Sequence, residues 1–158
     1  METLRVIDII EGTSVDGPGL RTSIYLAGCE HRCPGCHNPH TWSRDAGRDM
    51  TIAEILDAVE AADFNVTLSG GDPIYQAASL LPLLKELHSR ERTVWLYTGF
   101  TYEQLLEMPD AKALMPYLEA IVDGPFVEAL RDTTLRFRGS SNQRIIYPNT
   151  KKDLQMSK

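Results

Sequence analysis

Short apolar runs along the chain alternate with stretches whose apolar residues recur every three to four positions. Runs near Arg5 to Ile10, Thr22 to Ala27, Asn65 to Leu68, Thr93 to Tyr97, Ala120 to Val122 and Arg144 to Tyr147 are rich in β-branched and aromatic residues and predict strands. Between them, TIAEILDAVEAA (Thr51 to Ala62) has apolar Ile52, Ile55, Leu56 and Val59 at helical spacing. Thr51 and Glu54 supply the residue pair of a capping box, so the helix is expected to begin there. A second helix is expected from about Ser79 to Ser89, carrying Leu80, Leu84 and Leu87, with Ser79 as the cap and Pro82 tolerated in the first turn. Thr101 and Gln104 form another capping-box pair that opens a short helix through Leu105 and Leu106.

Strands alternating with helices argue for right-handed βαβ units and a mainly parallel sheet. A closed eightfold barrel needs about 250 residues, and this chain has 158. The expected fold class is therefore α/β, an open partial (βα) barrel with a lateral gap in its wall. The length suits one domain, expected over residues 1–150 with a flexible tail over residues 151–158, because no repeat or Pro/Gly/Ser linker interrupts the pattern.

Composition narrows the function classes. Hydrophobic residues make up 42% and charged residues 24%, ordinary globular values that exclude disordered and fibrous classes. The net charge of −6 works against generic attraction to nucleic acid or anionic membranes. Apolar runs fall far short of the ~20 residues needed to span a bilayer, and METLRVIDII has no basic region ahead of an apolar stretch. The expectation is a cytoplasmic protein with neither nucleic acid nor membrane as partner.

The chemistry concentrates at strand ends. The expected strands ending at Ala27, Leu68, Tyr97 and Val122 run into Gly28-Cys29, Ser69-Gly70-Gly71-Asp72-Pro73, Thr98-Gly99 and Asp123-Gly124-Pro125. Parallel α/β folds bind ligands at the carboxyl ends of their strands, so one rim is expected to hold the site. All three cysteines lie in GCEHRCPGCHNPHTW (Gly28 to Trp42), spaced C-x3-C-x2-C in a polar loop without core periodicity. An odd, clustered set does not suit a disulfide framework and points to metal ligation. Cys29, Cys33 and Cys36 with a histidine from His31, His37 or His40 would complete a zinc site. A four-iron cluster held by the three cysteines alone would instead leave one iron open to an exogenous ligand, unlike the four-cysteine ligation of electron carriers.

C-x3-C-x2-C at a strand end followed by Gly-Gly-acid-Pro resembles the radical S-adenosylmethionine superfamily. Within it, DGPGLR (Asp16 to Arg21), GCEHRCPGCHNP, SGGDP, YTGF (Tyr97 to Phe100), VDGPF (Val122 to Phe126) and FRGSSNQRII (Phe137 to Ile146) resemble the activators of anaerobic ribonucleoside-triphosphate reductase. Those blocks reach from residue 16 to residue 146. Many superfamily members carry an aromatic residue before the third cysteine; Gly35 stands there in this chain, as in the reductase activators.

The resemblance implies a [4Fe-4S] cluster and S-adenosyl-L-methionine as cofactors. Cys29, Cys33 and Cys36 would ligate three irons and carry the catalysis, with the amino and carboxylate groups of S-adenosylmethionine on the fourth. Reductive cleavage would yield methionine and a 5′-deoxyadenosyl radical that takes hydrogen from a glycine of the partner. That partner would be the anaerobic ribonucleoside-triphosphate reductase, a glycyl radical protein, with a donor such as flavodoxin or ferredoxin supplying the electron. Gly35, Cys36 and His37 would face the adenine, Gly70, Gly71 and Asp72 the methionine portion, and Asp123 a ribose hydroxyl or a cation. The lateral gap would admit the partner's glycine loop. Asp16 is expected to shape a turn, Ser140, Ser141, Asn142 and Gln143 to form a turn or dock that loop, and Trp95, Tyr97 and Phe100 to pack. The alternatives are activation of another glycyl radical enzyme such as pyruvate formate-lyase, or a zinc-binding interaction module.

Overall fold

A computed structural model describes residues 3–28 and 47–149. The expected C-terminal tail and the Cys29, Cys33, Gly35, Cys36 and His37 assignments lie outside the described residues. The described residues form one seven-stranded sheet. Its strands are β1 (Thr3–Thr13), β2 (Arg21–Leu26), β3 (Arg48–Thr51), β4 (Asn65–Gly70), β5 (Val94–Tyr97), β6 (Ala120–Asp123) and β7 (Arg144–Ile146), in the order β3-β1-β2-β4-β5-β6-β7. The central strands β2, β4, β5 and β6 are parallel, in registers such as Ile24 opposite Leu68 and Leu68 opposite Leu96. Both flanks are antiparallel, with β1 on β2, β3 on β1, and β7 on β6. All six expected strands are present. The fold is mixed α/β, parallel only in the middle. The unforeseen β3, RDMT, has no apolar alternation of its own and forms by pairing Met50 and Asp49 with Leu4 and Arg5 of β1.

The helices are α1 (Ile52–Ala62), α2 (Ala77–Ser89), α3 (Tyr102–Leu106) and α4 (Pro109–Lys112). Both expected capping boxes are formed: the Glu54 amide donates to Thr51 Oγ1 at 3.1 Å while Glu54 Oε1 accepts from the Thr51 amide at 2.8 Å. The Thr101 and Gln104 pair repeats the arrangement at the head of α3. The second helix departs from expectation. It begins at Ala77, and Pro82 lies in its second turn, because the chain enters α2 from a 3-10 turn, Pro73–Gln76, whose cap is Asp72. The amide hydrogen bond that Pro82 cannot make would reach the carbonyl of Ala78. Both residues are exposed, so that carbonyl is open to solvent and the helix continues.

Leu4, Ile24, Leu26, Val66, Leu68, Val94, Leu96 and Ile121 of the sheet join Ile55 and Val59 of α1 and Leu80, Leu84 and Leu87 of α2 in one apolar core. The opposite face carries the alternate residues. Trp95, Ala120, Val122 and Ile145 make a smaller cluster there, flanked by Tyr97, Phe137 and Tyr147. Next to it β2 and β4 present Arg21, Ser23, Tyr25, Thr67 and Ser69, a polar surface unusual for parallel strands, which ordinarily bury apolar residues on both faces. The 14–20 segment and the 134–138 segment fold over this second face. Among the described residues, no helix is long and apolar enough to cross a membrane.

Candidate functional site

Because β2, β4, β5 and β6 run parallel, their glycine-bearing carboxyl ends converge on one rim, as the motif positions predict. Main-chain bonds stitch that rim together. The Gly71 amide donates to the Leu26 carbonyl at 2.8 Å, and the Asp72 amide donates to the Gly28 carbonyl at 2.7 Å. The SGGDP turn is thereby seated on the residue that leads into Cys29. Gly70 makes this seating possible. Its φ is +103°, and a Cβ there would lie 2.6 Å from the Leu26 carbonyl oxygen and closer still to the Leu26 nitrogen. A backbone approach this close, in a conformation L side chains rarely adopt, requires glycine.

Gln76, not singled out in the sequence, locks the same corner. Its Oε1 accepts from the Arg5 amide at 2.8 Å, and its Nε2 donates to the carbonyls of Arg5 and Ala27 at 3.0 and 3.1 Å. A glutamine in an apolar helical run was the available signal, but its partner 71 residues away was not readable.

Asp72 is completely buried. One carboxylate oxygen accepts from the Ile74 amide at 3.1 Å, and the other from Thr98 Oγ1 and the Gly99 amide, both at 2.9 Å. It therefore ties the β4 turn to the β5 turn. The Gly124 amide, donating to the Phe100 carbonyl at 2.8 Å, continues the rim to β6. Asp123, also buried, receives four donors: the Tyr102 amide at 2.7 Å, the Arg144 amide at 3.1 Å, and Arg144 Nε and Nη2 at 3.2 and 2.5 Å. Four donors match the roughly four lone-pair sites of a carboxylate, so Asp123 binds α3 and β7 to the rim. The hydrogen bonds that Arg144 donates to Glu103 and then to Asp123 push its guanidinium pKa upward, so it stays charged.

Asp16 of DGPGLR lies over the second face. Its carboxylate accepts from Ser23 Oγ at 3.0 Å and Tyr25 Oη at 2.5 Å, and its carbonyl accepts from Thr67 Oγ1 at 2.7 Å. Burial, followed by the hydrogen bond to Asp16, pushes the Tyr25 phenol up to about 12. Arg21 of the same motif is buried beneath it, donating to Thr67 Oγ1 at 2.9 Å and to the Val66 carbonyl at 2.8 Å. Burial lowers its pKa.

Between these two covering segments opens a cleft of about 560 Å³, whose lining includes Asp16, Ser69, Tyr97, Phe137 and Gln143. Trp95 and Phe100 pack as expected, the first donating Nε1–H to Glu119 at 2.8 Å and the second meeting the Tyr75 ring. Tyr97 instead lines the cleft. In the 138–143 turn, Gln143 Oε1 accepts from the amides of Gly139 and Ser140, its Nε2 donates to the Gly124 carbonyl, and Asn142 Nδ2 donates to the Pro125 carbonyl. These side chains hold their own turn. The described residues contain no cluster of three or more His, Cys, Asp or Glu able to hold a metal ion.

Residues 15–146 match the family model of a 4Fe-4S single cluster domain, which defines the class of this chain. The anaerobic ribonucleoside-triphosphate reductase-activating protein of Vibrio cholerae is 37% identical over 143 residues, covering 83% of this chain and 90% of that protein. Its Escherichia coli counterpart is 32% identical over 139 residues, covering 82% and 89%, and that of bacteriophage T4 is 31% identical over 140 residues, covering 83% and 86%. The chain belongs to the family of anaerobic ribonucleoside-triphosphate reductase-activating proteins. Its fold is similar to the crystal structure of QueE from Escherichia coli, with a TM-score of 0.53 at 19% identity, covering 63% of this chain and 53% of QueE.

Proposed function

We propose that this protein is a radical S-adenosylmethionine activase that generates the glycyl radical of anaerobic ribonucleoside-triphosphate reductase. The observation that carries the reading is the pair of main-chain bonds that seats Gly71 and Asp72 on Leu26 and Gly28. It joins the Gly-Gly-Asp turn to the root of the cysteine segment, where a cluster and a small zwitterion would have to meet. The space freed by the absent Gly70 side chain is occupied by the β2 backbone, so the turn lies flat against the strand end.

Cys29, Cys33 and Cys36 would ligate a [4Fe-4S] cluster, leaving one iron for the amino and carboxylate groups of S-adenosylmethionine. Gly35, Cys36 and His37 would offer backbone to the adenine, and the main chain of Gly70 and Gly71 would receive the methionine ammonium. Asp72 and Asp123 would act by holding the β4, β5 and β6 turns in register around it. When bound, the reduced cluster and S-adenosylmethionine supply an electron and a carbon-centred radical that removes hydrogen from glycine. In this reading the sheet is an open partial barrel, its second face forms the inner wall, and the unclosed side admits the partner's loop. The electron would come from a flavodoxin or ferredoxin in the cytoplasm.

Anaerobic reconstitution with iron and sulfide, then reduction with S-adenosylmethionine present, tests the class. Release of 5′-deoxyadenosine that disappears in Cys33→Ala is the expected outcome. Adding the reductase is expected to give the doublet of a glycyl radical by electron paramagnetic resonance. A colourless protein holding one zinc ion would overturn the proposal.

A further inference from the structure

The Tyr97 hydroxyl is an anomaly in the second face. Its oxygen is buried and has no hydrogen-bond partner among the described residues, and Tyr97 stands at the carboxyl end of β5 in the wall of the 560 Å³ cleft. The aromatic donors around it are used differently: the Tyr25 hydroxyl donates to Asp16, and the Trp95 indole N–H, two residues earlier on the same face, donates to Glu119. A buried polar group is nearly always satisfied, so an unpaired hydroxyl on a residue of the cleft wall calls for a partner. Burial, and then the nearby Asp16 charge, push the Tyr97 pKa upward, so the group remains a phenol and can donate.

The shape of the cleft says what it would donate to. A second cavity of about 390 Å³, lined by Pro18, Trp95, Ile145 and Tyr147, shares Leu135, Phe137 and Arg138 with the first. The two cavities lie side by side on the second face, between Ser69 at the rim and Tyr147. The Gly70 and Gly71 turn, seated on Leu26 and Gly28, adjoins the Ser69 end of the first cavity. A glycine has no side chain to recognise, so a site that positions one can grip only the amide N–H and carbonyl of neighbouring peptide units.

We propose that the Tyr97 hydroxyl donates a hydrogen bond to a main-chain carbonyl of the partner's glycine loop and so positions that loop in the cleft. The inference rests on the activase reading and adds to it a residue that binds the protein substrate and not the cofactor.

Tyr97→Phe removes the oxygen alone. The probe is a synthetic peptide spanning the glycyl-radical loop of the reductase, titrated calorimetrically into reconstituted protein with S-adenosylmethionine present. Because the peptide carbonyl would be left buried without a donor, affinity is expected to fall about tenfold, with KM for the reductase rising by a similar factor. Affinity for S-adenosylmethionine alone, read by equilibrium dialysis, is expected to stay at the wild-type value. The thermal midpoint is expected to equal or exceed that of wild type, since the variant removes an unsatisfied group. Alanine substitutions in the peptide are expected to leave the tenfold ratio intact.

Equal peptide affinity in both proteins overturns the inference and leaves the activase reading standing. A parallel loss of S-adenosylmethionine affinity overturns it by assigning the hydroxyl to the cofactor. A lowered thermal midpoint does so by revealing an internal partner. A ratio that vanishes with one peptide side chain assigns the bond to that side chain, against the proposal. Failure of the wild-type protein to bind the peptide and to form a glycyl radical counts against the activase reading itself and removes the inference with it.

Discussion

The two faces of the sheet are built by opposite means from the same strands. On the helix-covered face, Leu68, Leu96, Leu80 and Leu84 are buried without exposure and interlock by volume. On the other face, Arg21, Ser23, Tyr25, Thr67 and Asp16 are joined by directed bonds of 2.5 to 3.0 Å. Apolar packing tolerates small shifts, whereas a hydrogen-bonded polar surface holds only one arrangement and remains able to accept a ligand. The first face provides stability, and the second provides a wall whose polar groups are fixed before anything binds.

Gly70 sits where the two faces end, and its substitution is the strongest expected disturbance. In Gly70→Ala the new Cβ meets the Leu26 backbone in a disfavoured φ region, so urea unfolding should show a loss of roughly 4 kcal/mol. S-adenosylmethionine binding should be lost with it. Wild-type stability in this variant would mean that the Gly71 bond to Leu26 does not define the rim.

Adjacent residues of β4 then separate the faces. Leu68→Ala opens a cavity in the helix-side core and should cost about 3 kcal/mol, without altering the 14–20 segment. Thr67→Val keeps the shape but strips both the acceptor for Arg21 Nε and the donor to the Asp16 carbonyl, leaving a buried guanidinium short of a partner. Its expected cost is about 2 kcal/mol, with increased proteolysis within residues 14–20 as the accompanying sign. Should Thr67→Val prove neutral while Leu68→Ala does not, the second face would be no more than a solvated surface.

The smallest effect concerns pH. The folded state raises the Tyr25 phenol from its ordinary value of 10 to about 12. Folding therefore favours the protonated form, and this contribution is complete below pH 10 and lost as pH rises through 12. Urea midpoints should fall between about pH 10 and about pH 12 in the wild type, and fall less steeply in Tyr25→Phe. Identical slopes would remove Tyr25 from the bonded set.

The six expected strands and both capping boxes were legible because they rest on local signals: β-branched runs, and a Thr with Glu or Gln three residues on. The start of α2 is not legible because no side chain caps it: the chain enters from a 3-10 turn capped by Asp72, which leaves Ser79 inside the helix. β3 was missed because its pairing with β1 is nonlocal. The rim could be inferred from four glycine turns, since parallel strands must end together. The saturation of Asp123 could not, because Arg144 arrives from 21 residues away on an antiparallel strand. Tyr97 was read as packing for a related reason: alternation places it on a face, but not beside an opening.

The amino-acid order alone determined the strand and helix positions, the C-x3-C-x2-C segment at the end of β2 and the glycine turns that share its rim, because each depends on neighbours within a few residues. Tertiary structure decided which sheet face lies under helices, that DGPGLR folds back over the polar face, and that the Tyr97 hydroxyl has no partner among the described residues. Those outcomes depend on contacts such as Arg21 with Thr67, 46 residues apart, whose geometry exists only once the strands have taken their register.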